Sequence, residues 1–429
     1  MRRRVRFLDT RPLRGSQSFR DLWIGSSAAQ LGAQIANVAV LAQVWELTGS
    51  PVSTGAIGLA VGGPMVLFGL LGGTLADGFD RRSVLRAATA GQVLAAAGLC
   101  AQALAGNSSV PLLLALVAIG ASSSALGAPA RRAFPVRLLP GDQVAAGLAL
   151  TNVSFQAAML TGPALAGVII AGWGFPAAYA AQAVALAVAM LTVIRLPAMP
   201  PDGVDPAAGR RRPERGGWTI VLRRPTLWGS MATDLSATLL AMPVALFPLV
   251  NEIRFGGNPQ TLGLFLSAVA LGGITAGLLS GTVTRWRRAG LVQLAAAAVW
   301  GLALAGFGLA GPLWPALGCL AVAGAADTVS VVTRSALVQL ETPDAYRGRV
   351  SSVEHVIGVA GPELGNFRGG LLASATSASF SLVFGGLSAL LAIAAVAAAN
   401  APLRAYRTPA AAEPTPHGVA DAAAAGQVH

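Results

Sequence analysis

Three carboxylates and one arginine lie deep inside long apolar stretches of the sequence: Asp234, Asp327, Glu363 and Arg368. A carboxylate inside a membrane helix costs roughly 2.5–3.5 kcal/mol, so such residues usually mark a functional pathway. Burial favours the neutral carboxyl, which allows proton uptake and release near neutral pH. The three carboxylates are therefore candidates for proton coupling, in the order Asp234, Glu363, Asp327. An interhelical hydrogen bond or ion pair is the alternative for each.

Arg368 follows Glu363 by five positions, about 140° around a helix, so the two do not form a good intrahelical pair. Arg368 is a candidate for substrate contact or for extension toward water. Neutral polar residues are spaced to share one face of a helix in two other stretches. They are Gln30, Gln34 and Asn37 in one stretch, and Asn152 and Gln156 in another. These residues either line a water-filled cavity or bond between helices.

The elements that must position these residues are membrane-spanning helices. Of the 429 residues, 54% are hydrophobic and only 11% are charged, against about 25% charged in soluble domains. The apolar residues form blocks of membrane-crossing length. An all-α polytopic membrane protein with twelve spans is predicted. The predicted spans are 21–46, 53–76, 84–105, 111–132, 145–171, 175–196, 225–251, 259–283, 289–310, 314–336, 349–374 and 377–400.

The distribution of arginine predicts the orientation of these spans. The sequence has no lysine, so all 30 basic residues are arginine, and the net charge is +12. The arginines cluster in alternate connections, and only Arg254 lies on the opposite side. Arginine-rich short loops face the cytoplasm, so both termini are predicted there, in a bacterial cell membrane. Such a distribution argues against nucleic-acid binding, although the net charge is basic.

The predicted spans form two halves of six. A cytoplasmic arm, 1–20, precedes the first bundle at 21–196, and a proline-rich linker, 197–217, leads to the second bundle at 218–402. A low-complexity tail, 403–429, is expected to be disordered. Four residues recur after 203 positions, which indicates a duplication: Arg131, Pro140, Gly162 and Gly167 recur as Arg334, Pro343, Gly365 and Gly370. Two parallel six-span repeats with a site between them are typical of rocker-switch transporters.

The tight connection after the second span contains charges of both signs in "GGTLADGFDRR". Its Gly73, Asp77, Arg81 and Arg82 resemble the loop signature of the major facilitator superfamily, from which it departs at Asp80. The stretches "WELTGSPVSTGAIGLA", "LTGPALAG" and "TPDAYRGRV" are similar to the branch of bacterial siderophore and macrolide exporters. The resemblance covers residues 18–405.

The resemblance implies a charged gate at the cytoplasmic end. Asp77 would face the N-terminus of span eleven, where Arg347 and Arg349 lie and where helix amides favour an anion. Arg81 and Arg82 would pair with carboxylates or helix C-terminal carbonyls. The alternative is that these arginines only fix the loop in the cytoplasm.

The fifth span contains "TGPALAG", which resembles the antiporter motif of this superfamily. Gly162 and Gly167 would allow close helix packing, and Pro163 would bend the helix. In the second half, Pro243 and Pro248 are expected to break span seven near its outer end.

These observations predict a secondary active transporter with the major facilitator fold. It would export a siderophore or drug-like molecule by proton-coupled alternating access, as a monomer. It would need no cofactor or metal, only the proton gradient. An importer or symporter is the first alternative, and an intramembrane enzyme or scaffold is the second. HExxH, GxSxG and nucleotide-binding motifs are missing from the sequence, and Cys100 and Cys319 form no metal or disulfide pattern.

Overall fold

The computed structural model describes residues 9–199, 217–279, 288–343 and 346–407, and these form helices without any strand. The helices are named here by the span that the sequence predicted. Spans 1 to 4 are Gln17–Thr48, Pro51–Gly78, Arg81–Leu104 and Val110–Leu138. Spans 5 and 6 form the bent helix Gly141–Ile194. Span 7 consists of Pro225–Ala241 and Phe247–Phe255. Spans 8 to 12 are Pro259–Leu278, Ala289–Leu309, Leu313–Glu341, Arg347–Ala375 and Ala378–Ala399. Three short helices, Arg11–Gly15, Gly217–Arg223 and Ala401–Ala405, flank the two sets of spans.

The observed helices lie close to the predicted spans, and the all-helical membrane fold is confirmed. Spans 4 and 10 extend further than predicted, to Leu138 and Glu341. In the described part of the chain, nine helical segments are long and apolar enough to cross a membrane, with spans 5 and 6 taken as one. Spans 1 and 11 are long enough but are not among the nine. The count of twelve crossings stays a prediction.

The turn between spans 5 and 6 depends on a glycine. Gly174 has φ 75° and ψ −176°, a conformation that a residue with a Cβ rarely adopts. It reverses the chain after a span of membrane length, with Pro176 beginning the next helix. The predicted connection between these spans lies at this position.

Two ends of the molecule can be distinguished, and we call them the basic end and the neutral end. The basic end contains Asp80, Pro140, Met199 and Pro225, where the arginine-rich connections lie. The neutral end contains Gly49, Gly106, Gly174 and Gly256, where most connections lack charge.

Partly buried arginine side chains bind open helix carbonyls at both ends. At the basic end, Arg82 donates to the carbonyl of Leu196, 3.1 Å away, beyond the last turn of span 6. At the neutral end, Arg254 donates to the carbonyls of Phe307 and Ala310 at 3.0 and 2.7 Å, at the end of span 9. These contacts satisfy carbonyls that have no partner inside their own helix. The single arginine of the neutral end therefore has a structural role.

The duplication that the sequence indicates is visible in equivalent contacts of its glycines. Gly162 packs on Gln34 in span 1, and Gly365 packs on Thr238 in span 7. Gly167 packs on the start of span 8, and Gly370 packs on the start of span 2. Spans 1 and 7 occupy equivalent positions in the two halves, and so do spans 2 and 8. Equivalent glycines therefore contact equivalent spans, as two-fold pseudosymmetry requires. The halves, residues 9–199 and 217–407, meet through spans 2 and 11 and through spans 5 and 8.

The described contacts between the halves concentrate toward the neutral end. Thr54 in span 2 donates to the carbonyl of Ala245 in span 7, at 2.8 Å. Gly55 in the same span faces the backbone of Asn366 and Phe367, and Gly263 in span 8 faces Pro163. Toward the basic end, a cavity of about 250 Å³ separates spans 2 and 4 from span 11. The described contacts therefore join the halves at the neutral end through spans 2, 7 and 11 and through spans 5 and 8, beside a cavity of about 400 Å³ between span 1 and spans 7 and 8.

Candidate functional site

Asn37 in span 1 and Asn152 in span 5 lie where the halves separate, whereas Gln30 lies inside the first half, in a cavity lined by spans 1, 3, 4 and 6. Asn37 is exposed although it lies in the middle of span 1, and its amide approaches Gln34 Oε1 at 3.5 Å. Asn152 precedes Pro163 by eleven positions, so both lie within about 20° on one face of the helix. Because Pro163 contacts span 8, this face of span 5 points toward the second half. Asn152 is exposed and Gln156 is partly buried on that face.

A cluster of charges joins three spans inside the second half. Arg334 in span 10 forms an ion pair with Asp234 Oδ2 in span 7, and the two side chains are only 8% and 7% exposed. The Nε atom of Arg334 lies 3.4 Å from Glu354 Oε1 in span 11. Ser335 donates to the same oxygen at 3.2 Å. Asp327, two turns before Arg334, is close enough to interact electrostatically with Asp234 and Arg334.

Asp234 therefore takes part in an interhelical ion pair, which the sequence analysis gave as the alternative to proton coupling. Sequence reasoning missed the parts played by Arg334 and Glu354. The signal was available, since Arg334 follows Asp327 by seven positions, on the same face of span 10. A buried guanidinium needs a carboxylate partner, and Asp234 and Glu354 supply it from the neighbouring helices.

Glu363 lies at the contact between the halves. A Cβ at Gly58 would lie 2.9 Å from Glu363 Oε2, and a Cβ at Gly62 would lie 2.7 Å from Glu363 Cβ. The two glycines of span 2 therefore provide the space that the glutamate side chain occupies. Asn366, one turn later, interacts with the carboxyl group and accepts a hydrogen bond from the Ala245 amide at 3.1 Å. A titratable group lies at an interface that must separate if the halves move.

Arg368 binds the break in span 7. Its Nε donates to the Leu239 carbonyl at 3.0 Å, and its Nη2 donates to the Leu240 carbonyl. The helix stops at Ala241 before Pro243, which leaves these carbonyls without helical partners. The guanidinium therefore does not extend to water, and it ties span 11 to the break that the prolines predicted.

The loop signature is described in part. Asp77 and Gly73 belong to the last turns of span 2, and Arg347 begins span 11, but the side chains of 70–78 and of Arg347 lie outside the described part of the structure. Arg81 and Arg349 lie at the basic end, in the first turns of spans 3 and 11.

Asp80, where the sequence departs from the signature, caps span 3. Its Oδ1 accepts hydrogen bonds from the amides of Arg82 at 2.8 Å and Met199 at 3.1 Å. The Arg81 amide donates to the Met199 carbonyl at 3.1 Å. The Asp80 carboxylate thus caps the start of span 3 and also holds Met199, at the start of the linker between the halves, against the loop that follows span 2.

The residues of the antiporter-like motif pack span 5 against two neighbours. Gly162 faces span 1, while the carbonyl of Pro163 faces Gly263 in span 8. A Cβ at Gly167 would lie 2.8 Å from Gln260 Cα, so the helices approach closely there. Among the residues that the structure describes, no group of three or more His, Cys, Asp and Glu side chains could hold a metal ion.

Comparison with known proteins identifies the family. Residues 10–422 match the family described as transmembrane secretion effector, a branch of the major facilitator superfamily. This chain belongs to that family. The chain is also 28% identical over 406 residues to the enterobactin exporter EntS of Citrobacter koseri, covering 91% of this chain and 95% of that protein. It is 27% identical over 394 residues to the enterobactin exporter of Shigella boydii, covering 88% and 92%.

Solved structures show the same fold for this transporter at low sequence identity. A nucleoside transporter, NupG, has a TM-score of 0.71 at 13% identity, over 89% of this chain and 99% of that chain. A D-xylose–proton symporter has a TM-score of 0.70 at 15% identity, over 88% and 96%.

The family membership confirms three predictions. The resemblance to the major facilitator superfamily and to its exporter branch is correct. The chain is a multi-pass efflux transporter of small molecules, as the secretion family implies. It is a transporter and not an enzyme.

Proposed function

We propose that this transporter exports a siderophore or drug-like organic molecule across the bacterial inner membrane by proton-coupled alternating access. The observation that supports it most is the similarity to enterobactin exporters over nearly the whole chain. We place the basic end and both termini in the cytoplasm, because arginine-rich short connections stay on that side. We further propose that it acts as a monomer without a cofactor or nucleic-acid partner.

The two six-span bundles are the moving bodies in this proposal. The neutral end, closed by the contacts of Thr54, Gly55 and Gly263, faces the outside. Cargo would enter from the cytoplasm between the halves, along the polar faces with Asn37 and Asn152. Closure of the basic end would then use the Asp77, Arg81, Arg347 and Arg349 gate.

Glu363 is the leading candidate for proton coupling, ahead of Asp234 and Asp327. Asp234 is held by Arg334 inside one half, whereas Glu363 faces Gly58 and Gly62 of the other half. A neutral carboxyl packs against span 2 at lower cost than an anion. Protonation from outside would therefore favour return to the closed neutral end, and proton release inside would favour opening outward. That cycle exchanges a proton for cargo.

Efflux into energised inverted vesicles tests the proposal. A fluorescent dye and a catecholate siderophore are each offered with and without a protonophore, to wild type and Glu363→Gln. Uphill accumulation should occur in wild type, collapse with protonophore and be lost in Glu363→Gln. Cargo exchange without a gradient should persist in this variant, because a permanently neutral residue still permits alternation.

The outcomes separate the parts of the proposal. Transport of neither cargo contradicts the cargo class. Accumulation that ignores the protonophore contradicts proton coupling. Protonophore-sensitive accumulation by Glu363→Gln contradicts the role of Glu363, and Asp234→Asn then becomes the variant to measure.

A further inference from the structure

Arg131 in span 4 occupies the position that Arg334 occupies in the second half, 203 residues later. Both lie seven residues before the end of their helix. Arg334 is neutralised by Asp234 and Glu354. Within the described part of the chain, Arg131 forms no ion pair with a carboxylate, and the charge that acts on it is that of Arg132, which has the same sign.

The Arg131 side chain lines a cavity of about 150 Å³ enclosed by spans 1, 3, 4 and 6. The polar residues around it, such as Gln30, Gln92 and Ser124, are neutral, and none of the described residues that line the cavity is a carboxylate. Gln30 Oε1 is buried without a hydrogen-bond partner among the described residues. At about 30 Å³ per water, the space is sufficient for a few waters or for one small polyatomic anion.

The cavity lies next to the space between the halves. Ser124 lines both this cavity and the cavity that separates spans 2 and 4 from span 11. Leu22, Leu85 and Val193, which line the cavity, pack in one apolar cluster with Phe134 toward the basic end. An occupant would therefore arrive from between the halves.

We propose that this cavity, named here the Arg131 cavity, binds an anionic group of carboxylate or phosphate size. A cation removed from water is costly unless an opposite charge accompanies it, and the first half supplies none from its own described side chains. The guanidinium offers several donors in one plane, which suits an oxyanion. Ser124 and Gln92 provide further donors at the wall.

The occupant can be a free anion from the cytoplasm or an acidic group on the cargo. Both present the same oxyanion chemistry to Arg131. Binding itself does not depend on the proposed transport function, so it is measured first on the purified full-length protein in detergent.

Thermal unfolding in acetate, exchanged against gluconate at constant ionic strength, tests the site. Free gluconate does not fit as a whole into a cavity of about 150 Å³ and, unlike a cargo bound between the halves, makes no other contacts that would place its carboxylate there, so it serves as the reference anion. Acetate should raise the Tm of wild type in a saturable manner, because a ligand that binds only the folded state stabilises it. Arg131→Gln should raise the half-saturating acetate concentration by about tenfold or more.

A second variant keeps the test decisive if Arg131→Gln does not fold. Ser124 corresponds to Asp327 in the repeat, 203 positions earlier, and it lines the cavity. Ser124→Asp should supply an internal counter-charge, raise the Tm in gluconate and remove the response to acetate. Ser124→Asn, which changes the same side chain without adding a charge, is the matched neutral control and should retain a saturable response to acetate. A wild-type Tm indifferent to acetate, or an equal acetate response in Ser124→Asp, overturns the proposal.

The source of the anion is then decided by transport. If the group belongs to the cargo, acetate inhibits efflux of a carboxylate-bearing substrate competitively, and Ser124→Asp reduces its efflux while a cationic dye is unaffected. If a free anion is the occupant, acetate does not inhibit the efflux of the carboxylate-bearing substrate or of the cationic dye. Both results are compatible with anion binding at the Arg131 cavity. The unfolding measurement alone decides whether that binding occurs.

Discussion

The two halves share one fold, but buried polar contacts of different charge join their helices. In the second half, spans 7, 10 and 11 are joined by the ion cluster of Asp234, Arg334 and Glu354. In the first half, spans 1, 3 and 6 are joined by neutral groups. Gln43 and Gln102 exchange hydrogen bonds at 3.3 and 3.0 Å, and the Tyr179 hydroxyl donates to Gln43 Oε1 at 2.7 Å.

The difference shows that the fold does not require a buried ion cluster. A buried ion pair costs desolvation that often equals its attraction, so it is weak support for a purely stabilising role. Since the first half is built to the same plan without such a cluster, the charges of the second half point to function.

The largest effect is expected when Arg334 is replaced. Arg334→Gln leaves Asp234 and Glu354 buried without their cation and should lower the free energy of unfolding by about 3–5 kcal/mol. Unfolding in mixed detergent micelles would measure it. The double variant Asp234→Asn, Arg334→Gln should regain part of the loss because one stranded charge is removed. A single variant as stable as wild type would contradict the ionic description of this half.

A smaller effect is expected at the equivalent glycines that close the neutral end. A Cβ at Gly370 would overlap the carbonyl oxygen of Pro51, and one at Gly167 would lie 2.8 Å from Gln260 Cα. Either alanine substitution should disfavour the closed neutral end by about 1–3 kcal/mol, with Gly370→Ala the stronger. Gly172→Ala, where no atom lies within 4 Å, is the control.

Spin labels on Ser50→Cys and Thr376→Cys would report the distance across the neutral end, in a background without Cys100 and Cys319. The distance distribution should move to longer values in both glycine variants and stay as in wild type for Gly172→Ala. An unchanged distribution in Gly370→Ala would show that these glycines do not determine closure.

The smallest effect is expected in the neutral network of the first half. Tyr179→Phe keeps the ring but removes the hydroxyl, and Gln43 Oε1 still accepts from Gln102 at 3.0 Å. The free energy of unfolding should fall by about 1 kcal/mol, well below the loss for Arg334→Gln. Tyr346→Phe, at a side chain 38% exposed, is the control and should change little. A loss as large as that of Arg334→Gln would remove the contrast between the halves.

Hydropathy and arginine distribution were sufficient to predict the helices, because span length and loop charge are local properties of the sequence. The offset of 203 residues also predicted the equivalent packing of Gly167 and Gly370. The partners of Asp234 could not be predicted, since pairing depends on which helix faces meet. The part played by Glu354 could not be predicted for the same reason. The cap that Asp80 forms could not be predicted in full, because its second partner, Met199, is distant in sequence.

The sequence therefore predicted which residues are candidates for the site but not which contacts they make. The sequence singled out Asp234, Glu363 and Arg368 without showing that one is paired, one lies between the halves and one binds open carbonyls. The proposed gate at Asp77 stays a prediction.

The contact of Arg368 with the broken seventh span has a consequence for the biogenesis of the protein. Span 11 contains Glu354, Glu363 and Arg368 and is too polar to partition well into lipid alone. The open carbonyls of Leu239 and Leu240 that receive Arg368 belong to a helix synthesised more than 100 residues earlier. When span 11 leaves the ribosome, its acceptors are already in the membrane. We therefore expect the order of synthesis to compensate for the low apolar character of this helix during its insertion.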